Sequence, residues 1–248
     1  MNKIKVFMAQ SSEIYRKNTK IIILIALLST TLNTIFQILG ENSSGISGII
    51  ITLLEIVMTA PLLICSYNVY YRCIKGEETN LDYVFSWITN SVRIGQGVRI
   101  EVKLIIKAIK WYIIYAVICV ASIILGPLMG VGIVAGAIFL AYILLRYDGA
   151  LYECAGNPDL DVNQMIDFGI EKLNVRMSDY ISLWLKTVLP FTIVIAVIEF
   201  ALSNAFLAII ANALVEMFIM PKFRIAGIML HNDTITDSMD KLTEEFPM

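Results

Sequence analysis

Long apolar stretches that hold almost no charged residue dominate this chain. A membrane-crossing helix needs about 20 mostly apolar residues in a row. Six stretches meet or approach this length, and we predict a transmembrane span in each: 21–39, 49–71, 111–128, 131–145, 181–202 and 205–220. The composition agrees, because 58% of the residues are hydrophobic and 16% charged, against about 45–50% and about 25% in soluble domains. We therefore expect an integral membrane protein.

The third and fourth stretches are joined by the sequence GPLMGVG. Its Gly126, Pro127, Gly130 and Gly132 are residues that commonly end helices. We therefore expect a hairpin at this point, and one long bent helix is the alternative.

The distribution of Lys and Arg predicts the orientation, because basic residues accumulate on the cytoplasmic side of a membrane. Basic residues are concentrated before the first stretch, after the second, after the fourth and after the sixth. The other three connections, GENSSGISG, GPLMGVG and SN, contain neither Lys nor Arg. This pattern predicts six crossings of a bacterial cell membrane, with both termini in the cytoplasm.

A similar segment follows each even-numbered stretch: YNVYYRCIKGEETNLDYVFSWI, YDGALYECAGNPDLDVNQMIDF and FRIAGIMLHNDTITDSMDKL. Each has an aromatic residue at the membrane edge, about two helical turns, a Gly or Asn break, and a polar cap. Apolar residues then recur at helical spacing: Leu81, Val84, Phe85, Ile88 and Val92; Val162, Met165, Ile166, Ile170, Leu173 and Met177; Ile235, Met239, Leu242 and Phe246. Thr79 with Asp82, and Asp161 with Gln164, are spaced as capping boxes.

These segments predict an all-α polytopic membrane protein, with six transmembrane helices as three hairpins that are each followed by a cytoplasmic amphipathic helix. The chain would form a single integral membrane domain, 1–248, with a possible three-fold repeat of 1–95, 96–178 and 179–248. The alternative is that aromatic edges and capped loops are common to polytopic proteins and indicate no repeat.

The segment from Tyr147 onward resembles an uncharacterised family of six-helix bacterial membrane proteins that carries only a domain-of-unknown-function label. The resemblance rests on Tyr147, Ala150, Tyr152, the run Asn157-Pro158-Asp159-Leu160, and Ile166. Arg72, Gly76, Phe85, Pro221 and Phe223 also fit the pattern. It covers about residues 67–231 and implies a fold and a membrane location, but no catalytic residues.

Ionisable and amide side chains within the stretches are candidate functional groups, because such groups are costly at membrane depth. The candidates are Glu55, Lys186, Asn212 and Glu216. Lys186 and Glu216 lie at similar depth on consecutive spans, which predicts a buried ion pair. The alternative is that Lys186 extends to the headgroups and that Glu216 is protonated or bonded to Asn212. Polar side chains of the first span, such as Asn33 and Gln37, more commonly bond to neighbouring helices.

A basic stripe precedes the third stretch and consists of Arg99, Lys103, Lys107 and Lys110. We expect it to contact anionic lipid headgroups rather than nucleic acid. Cys65, Cys73, Cys119 and Cys154 form no CxxC pair and the chain has one histidine, so we expect no metal site and no cofactor.

No catalytic motif is present in the sequence, so we expect no enzymatic activity. We therefore favour a non-enzymatic membrane protein that acts through contacts. Examples are a helper or membrane subunit of an export complex, or a tolerance or immunity factor for membrane-active peptides. The expected partners are then the lipid bilayer and, beside it, other membrane subunits, a peptide or further copies of the chain. The alternative is a stand-alone transporter or channel that uses the intramembrane Glu and Lys residues.

Overall fold

Every regular element is an α-helix in the computed structural model, which describes residues 3–41, 43–124, 129–202 and 205–245. For residues 41, 124, 129, 199–202, 205–209 and 234–245 it describes the backbone alone. The helices are α1 (Lys3–Lys17), α2 (Thr19–Glu41), α3 (Ile46–Lys75), α4 (Leu81–Ile88), α5 (Ser91–Ile124), α6 (Met129–Leu145), α7 (Asp148–Gly156), α8 (Val162–Val175), α9 (Met177–Thr187), α10 (Leu189–Leu202), α11 (Ala205–Phe218) and α12 (Met220–Glu245).

Several of these helices are long and apolar enough to cross a membrane, as expected for an all-α membrane protein. In the described part of the chain, four qualify by length and composition: Thr19–Gly40, Ile46–Lys75, Ser91–Ile123 and Gly130–Gly156. A fifth is obtained if α9 and α10 are taken as one span, although they are bent by 43° at their junction. Pro190 lies just after this bend, where a ring without an N–H interrupts helical hydrogen bonding. The sixth predicted stretch corresponds to α11, which has only 14 residues.

The side chains divide the molecule into a buried inner core and an outer zone of exposed apolar residues. On α3, large side chains from Ile49 to Met58 are exposed, whereas those from Leu62 to Tyr70 are mostly buried. Exposed apolar residues likewise cover the second half of α5 and much of α6, α10 and the described part of α11. Because exposed Leu, Ile and Val on this scale are unfavourable in water, the outer zone is the part suited to lipid.

Helices α7 and α8 make the closest backbone contact in the inner core. A Cβ atom added at Gly149 would overlap the carbonyl oxygen of Gly169, and one added at Gly169 would overlap that of Gly149. Two glycines therefore allow the two helices to touch backbone to backbone. The apolar face of α8 is buried as predicted, with Met165, Ile166 and Leu173 fully inaccessible.

A buried carboxylate links three parts of the inner core. Glu153 on α7 is 3% exposed, and its oxygens lie 2.7 Å from Lys172 Nζ on α8 and 3.0 Å from His231 Nε2 on α12. The side-chain amide of Asn157 donates a further hydrogen bond to Glu153 at 2.7 Å. Since a buried charge is tolerated only when it is paired and hydrogen-bonded, these contacts hold α7, α8 and α12 in one arrangement.

An aromatic network lies next to this carboxylate. The hydroxyls of Tyr152 and Tyr180 are 2.7 Å apart, and the Tyr180 hydroxyl donates to Asp148 at 2.5 Å. The ring of Tyr152 also lies 5.6 Å from that of Tyr67 and 5.8 Å from that of His231. Tyrosines therefore supply several of the largest buried side chains of the core, and the hydroxyls of Tyr152 and Tyr180 find partners there.

Several local predictions are wrong. Asn80, rather than Thr79, caps α4 by accepting from the Tyr83 amide at 2.9 Å. The break predicted around Asn232 is absent, since α12 is one helix of 26 residues. Of the predicted apolar face after the second span, Val84 is buried whereas Leu81, Phe85 and Val92 are exposed, so this face does not pack as a whole against the described part of the chain. By contrast, Asp161 caps α8 as predicted, accepting from the Asn163 amide at 2.8 Å.

The first helix was not predicted. Residues Lys3–Lys17 form α1, which buries Ile4, Ser11 and Tyr15. It is fastened to α12 by the Lys3–Asp233 ion pair at 3.1 Å. Its sequence, KIKVFMAQSSEIYRK, is too short and too polar for a membrane span, and its burial depends on a partner far away in the chain.

We expect Glu153→Gln to lower the stability of the protein by about 3 kcal/mol, the lower end of the cost of breaking a buried pair, because Lys172 is partly exposed and can turn to water. The matched control is Glu171→Gln, an exposed carboxylate on α8, which should change stability by less than about 0.5 kcal/mol. Thermal unfolding of the detergent-purified variants measures both. Equal melting temperatures for the two variants would show that the Glu153 contacts do not stabilise the core.

Candidate functional site

A polar cleft of about 580 Å³ opens in the outer zone between α2, α3 and α5. Its walls are formed by Ser29, Asn33, Phe36, Gln37, Gly40, Glu55, Thr59, Leu63 and Glu101. This volume is within the range of about 300–1,000 Å³ that is typical of small-molecule sites. Exposed apolar residues such as Leu54, next to Glu55 in the chain, are found on the same helices, so it is a polar recess in an apolar surface.

Residue spacing explains why the polar side chains meet in one place. On α2, Ser29, Asn33 and Gln37 recur every fourth residue. Residues four apart lie on the same face of a helix. On α3, Glu55 and Thr59 have the same spacing. The two polar faces are directed to the same cleft, which extends about 16 Å along α2 from Ser29 to Gly40.

Glu101 joins the cleft because α5 approaches α3 very closely one turn earlier. A Cβ atom added at Gly97 would lie 3.3 Å from the backbone carbonyl carbon of Ala60. A larger side chain at 97 would push the helices apart. Glu101 follows Gly97 by one turn on the same face of α5 and lines the cleft together with Glu55.

The two carboxylates have no basic partner among the residues that the structure describes. None of the described residues that line the cleft is Lys, Arg or His. No ion pair of Glu55 or Glu101 is found within the described part of the chain. One oxygen of Glu101, Oε2, is buried and has no hydrogen-bond partner among the described residues. The cleft is therefore an acceptor-rich site that favours a cationic or hydrogen-bond-donating group.

Apolar side chains lie below the inner end of the cleft. Ile25, one turn before Ser29, is fully buried, and so is Ile22. Ile100, next to Glu101, is also fully buried. The helices that form the cleft thus continue into packed core residues.

The predicted ion pair between Lys186 and Glu216 is not formed. Glu216 instead lies 3.4 Å from Arg224, one helical turn beyond the start of α12, and the Lys186 side chain is exposed. Asn212 is exposed and makes no hydrogen bond to Glu216. Arg224, rather than Lys186, pairs with Glu216 because its long side chain reaches back from α12 towards α11. Its guanidinium also lies 5.5 Å above the ring of Tyr67.

Arg224 is firmly charged in this position. A guanidinium keeps its proton in proteins, and Glu216 at 3.4 Å supplies the opposite charge. The Arg224–Glu216 pair therefore connects α11, which carries Glu216, to the core residue Tyr67 beneath the guanidinium.

The basic stripe of α5 divides into two parts. Lys103 donates to Asn163 at 2.6 Å, and Lys107 pairs with Asp167 at 2.8 Å, so these two side chains face α8. This corrects the expectation that they face lipid. Arg99 and Lys110 are exposed, and for them lipid contact stays a prediction.

Sequence reasoning missed Glu101 and Ser29 as site residues. Glu101 lies inside the basic stripe in sequence, but it follows Arg99 by two residues and therefore lies on nearly the opposite face of the helix. This two-residue offset from Arg99 could have shown that Glu101 does not belong to the basic stripe. Ser29 could have been found from its four-residue spacing to Asn33.

No family model, curated protein or solved structure matches this chain. The geometry of the cleft is therefore the evidence on which a function can be argued.

We expect Glu216 to be coupled energetically to Arg224 and not to Lys186. In a double-mutant cycle, Glu216→Gln with Arg224→Met should give a coupling energy of about 0.5–3 kcal/mol, as for side chains in contact. The lower end is expected because the Glu216 side chain is 41% exposed. The matched cycle with Lys186→Met should be additive. Coupling to Lys186 of equal size, measured by thermal unfolding, would contradict this arrangement.

Proposed function

We propose that this chain is a non-enzymatic membrane protein that acts by holding part of another membrane-embedded molecule in the cleft between α2, α3 and α5. The proposal includes six crossings, with both termini in the cytoplasm. It agrees with membership in the uncharacterised six-helix family that the Tyr147 segment resembles. A helper subunit of an export complex and a tolerance factor for membrane-active peptides are both proteins that work by such contacts.

The observation that carries this proposal is a polar recess that opens in the apolar zone and holds two carboxylates. A recess of this kind suits binding, because a bound group leaves the apolar surface and meets acceptors at Asn33, Glu55 and Glu101. Polar groups buried in an apolar medium are stabilised mainly by such partners.

The six-crossing arrangement is supported by the exposed apolar surfaces of α2, α3, α5, α6, α10 and α11. Helices α10 and α11 have 14 residues each, about 21 Å at 1.5 Å per residue. That is shorter than the hydrocarbon thickness of about 30 Å. The neighbouring helices α9 and α12 would complete these two crossings at the inner side.

A stand-alone transporter is a second candidate, favoured by the same polar faces on α2 and α3. Two carboxylates at membrane depth are a feature of proton- and cation-coupled transport. In that case the packed side chains of Ile22, Ile25 and Ile100 would have to separate during transport. Reconstituted protein that carries protons or sodium across a vesicle membrane, and loses this flux in Glu55→Gln, would favour the transporter over a contact function.

The topology predicts different access to the two ends of α3. Single cysteines at Ser44 and Glu78, both exposed, would be labelled in intact cells after Cys65, Cys73, Cys119 and Cys154 are replaced by Ala. A membrane-impermeant maleimide should label Ser44→Cys and leave Glu78→Cys unlabelled until the membrane is opened. Labelling of Glu78→Cys from outside would contradict the proposed orientation.

The contact function predicts a difference between two positions on the same helix. A photoreactive amino acid at Asn33 lies in the cleft, whereas one at Ile35, which is 46% exposed, lies on another face of α2. In native membranes Asn33 should give a discrete cross-linked product, and Ile35 should give lipid adducts alone. Identical lipid adducts from both positions would show that the cleft holds no specific partner.

A further inference from the structure

We infer that the cleft between α2, α3 and α5 recognises an amphipathic organic ammonium: a protonated amine carried on an apolar chain. This inference rests on the proposed contact function and adds the chemistry of the group that is bound. The source could be a lysine side chain of a membrane-active peptide or a lipophilic amine, since both present the same ammonium next to a hydrocarbon.

The ammonium is matched by the polar wall of the cleft. Glu55 and Glu101 supply carboxyl oxygens, and Oε2 of Glu101 is buried without a donor among the described residues. An ammonium has three N–H donors and no acceptor, so it can satisfy Glu101 together with an amide oxygen of Asn33. In an apolar medium the attraction between opposite charges is much stronger than in water.

The apolar chain is matched by the remaining wall. Phe36 and Leu63 line the same cleft as the carboxylates, and an aromatic face also attracts a cation. The recess is about 16 Å long from Ser29 to Gly40, which accommodates an extended alkyl chain of roughly ten carbons at the spacing of a hydrocarbon. Exposed Ile35 and Leu54 on the same two helices would continue that apolar environment into the bilayer.

An inorganic cation fits this site less well. A calcium ion takes six to eight oxygen ligands at about 2.3–2.6 Å, and no group of three or more His, Cys, Asp or Glu side chains able to hold a metal is found in the described residues. A cleft of about 580 Å³ is also far larger than the shell of one ion. The volume of the cleft and its apolar wall are explained only if the ligand has a hydrocarbon part.

The test uses the full-length protein in nanodiscs of zwitterionic lipid, titrated calorimetrically with octylammonium, with octanol and with sodium chloride. Empty nanodiscs of the same lipid supply the blank for partitioning. We expect octylammonium to bind at least tenfold more tightly than octanol, and sodium chloride to give no saturable heat. Equal affinity for octanol and octylammonium would overturn the inference, and so would saturable sodium binding that displaces octylammonium.

The variants Glu55→Gln and Glu101→Gln should each weaken octylammonium binding, and the double variant should bind it no better than octanol. Glu171→Gln, an exposed carboxylate on α8, is the matched control and should keep wild-type affinity. Thermal unfolding checks that every variant is folded, and the comparison of octylammonium with octanol on the wild-type protein stands if one is not. Full affinity in a folded double variant would overturn the inference.

The two levels of the proposal can fail separately. A discrete cross-link at Asn33 without any preference for octylammonium would leave the contact function intact and show that the ligand class is wrong. Saturable octylammonium binding without a cross-link in native membranes would support the ligand class and contradict a resident partner.

Discussion

The buried carboxylate of Glu153 is the interaction on which the inner core depends. It receives Lys172 from α8, His231 from α12 and Asn157 from the end of α7, so three helices meet at one charge, and one of them, α12, is distant in sequence. They can meet only because Gly149 and Gly169 let α7 and α8 touch along their backbones. A polar cross-link of this kind has directional requirements that apolar packing lacks. It therefore selects one arrangement of the helices, which the surrounding tyrosines and aliphatic side chains then fill.

The outer zone is organised by a different rule. Its helices carry exposed Leu, Ile and Val, and between such helices in lipid there is no hydrophobic driving force. Close contact then depends on small residues, as where Gly136 of α6 faces the ring of Tyr115 on α5. Helices α2 and α3 instead face each other with Asn33, Gln37, Glu55 and Thr59. Side chains of this kind leave room for a bound group, and the cleft is the consequence.

The sequence predicted the all-helical membrane class because hydrocarbon thickness and apolar run length are directly comparable quantities. It also predicted the buried face of α8, since the spacing of Met165, Ile166 and Leu173 is a local property. It did not predict Arg224 as the partner of Glu216, because matched depth on neighbouring spans leaves open which cation reaches an acid. Nor did it predict Glu101, whose basic neighbours in sequence lie on another face of α5. Which side chains from distant helices meet depends on how the helices pack, and the sequence of one segment alone does not determine this packing.

The core and the cleft are connected through α3 and α5. The inner half of α3 carries Tyr67 and Tyr70 into the core, and the outer half carries Glu55 to the cleft. Between them, Gly97 of α5 lies so close to Ala60 that an added Cβ would be 3.3 Å from its carbonyl group. This contact fixes how far apart the two helices are one turn later, where Glu101 lines the cleft with Glu55. The separation of the two carboxylates is therefore set by a backbone contact at the edge of the rigid core. A ligand that draws them together must work against that contact, so the geometry of the cleft is prepared before anything binds.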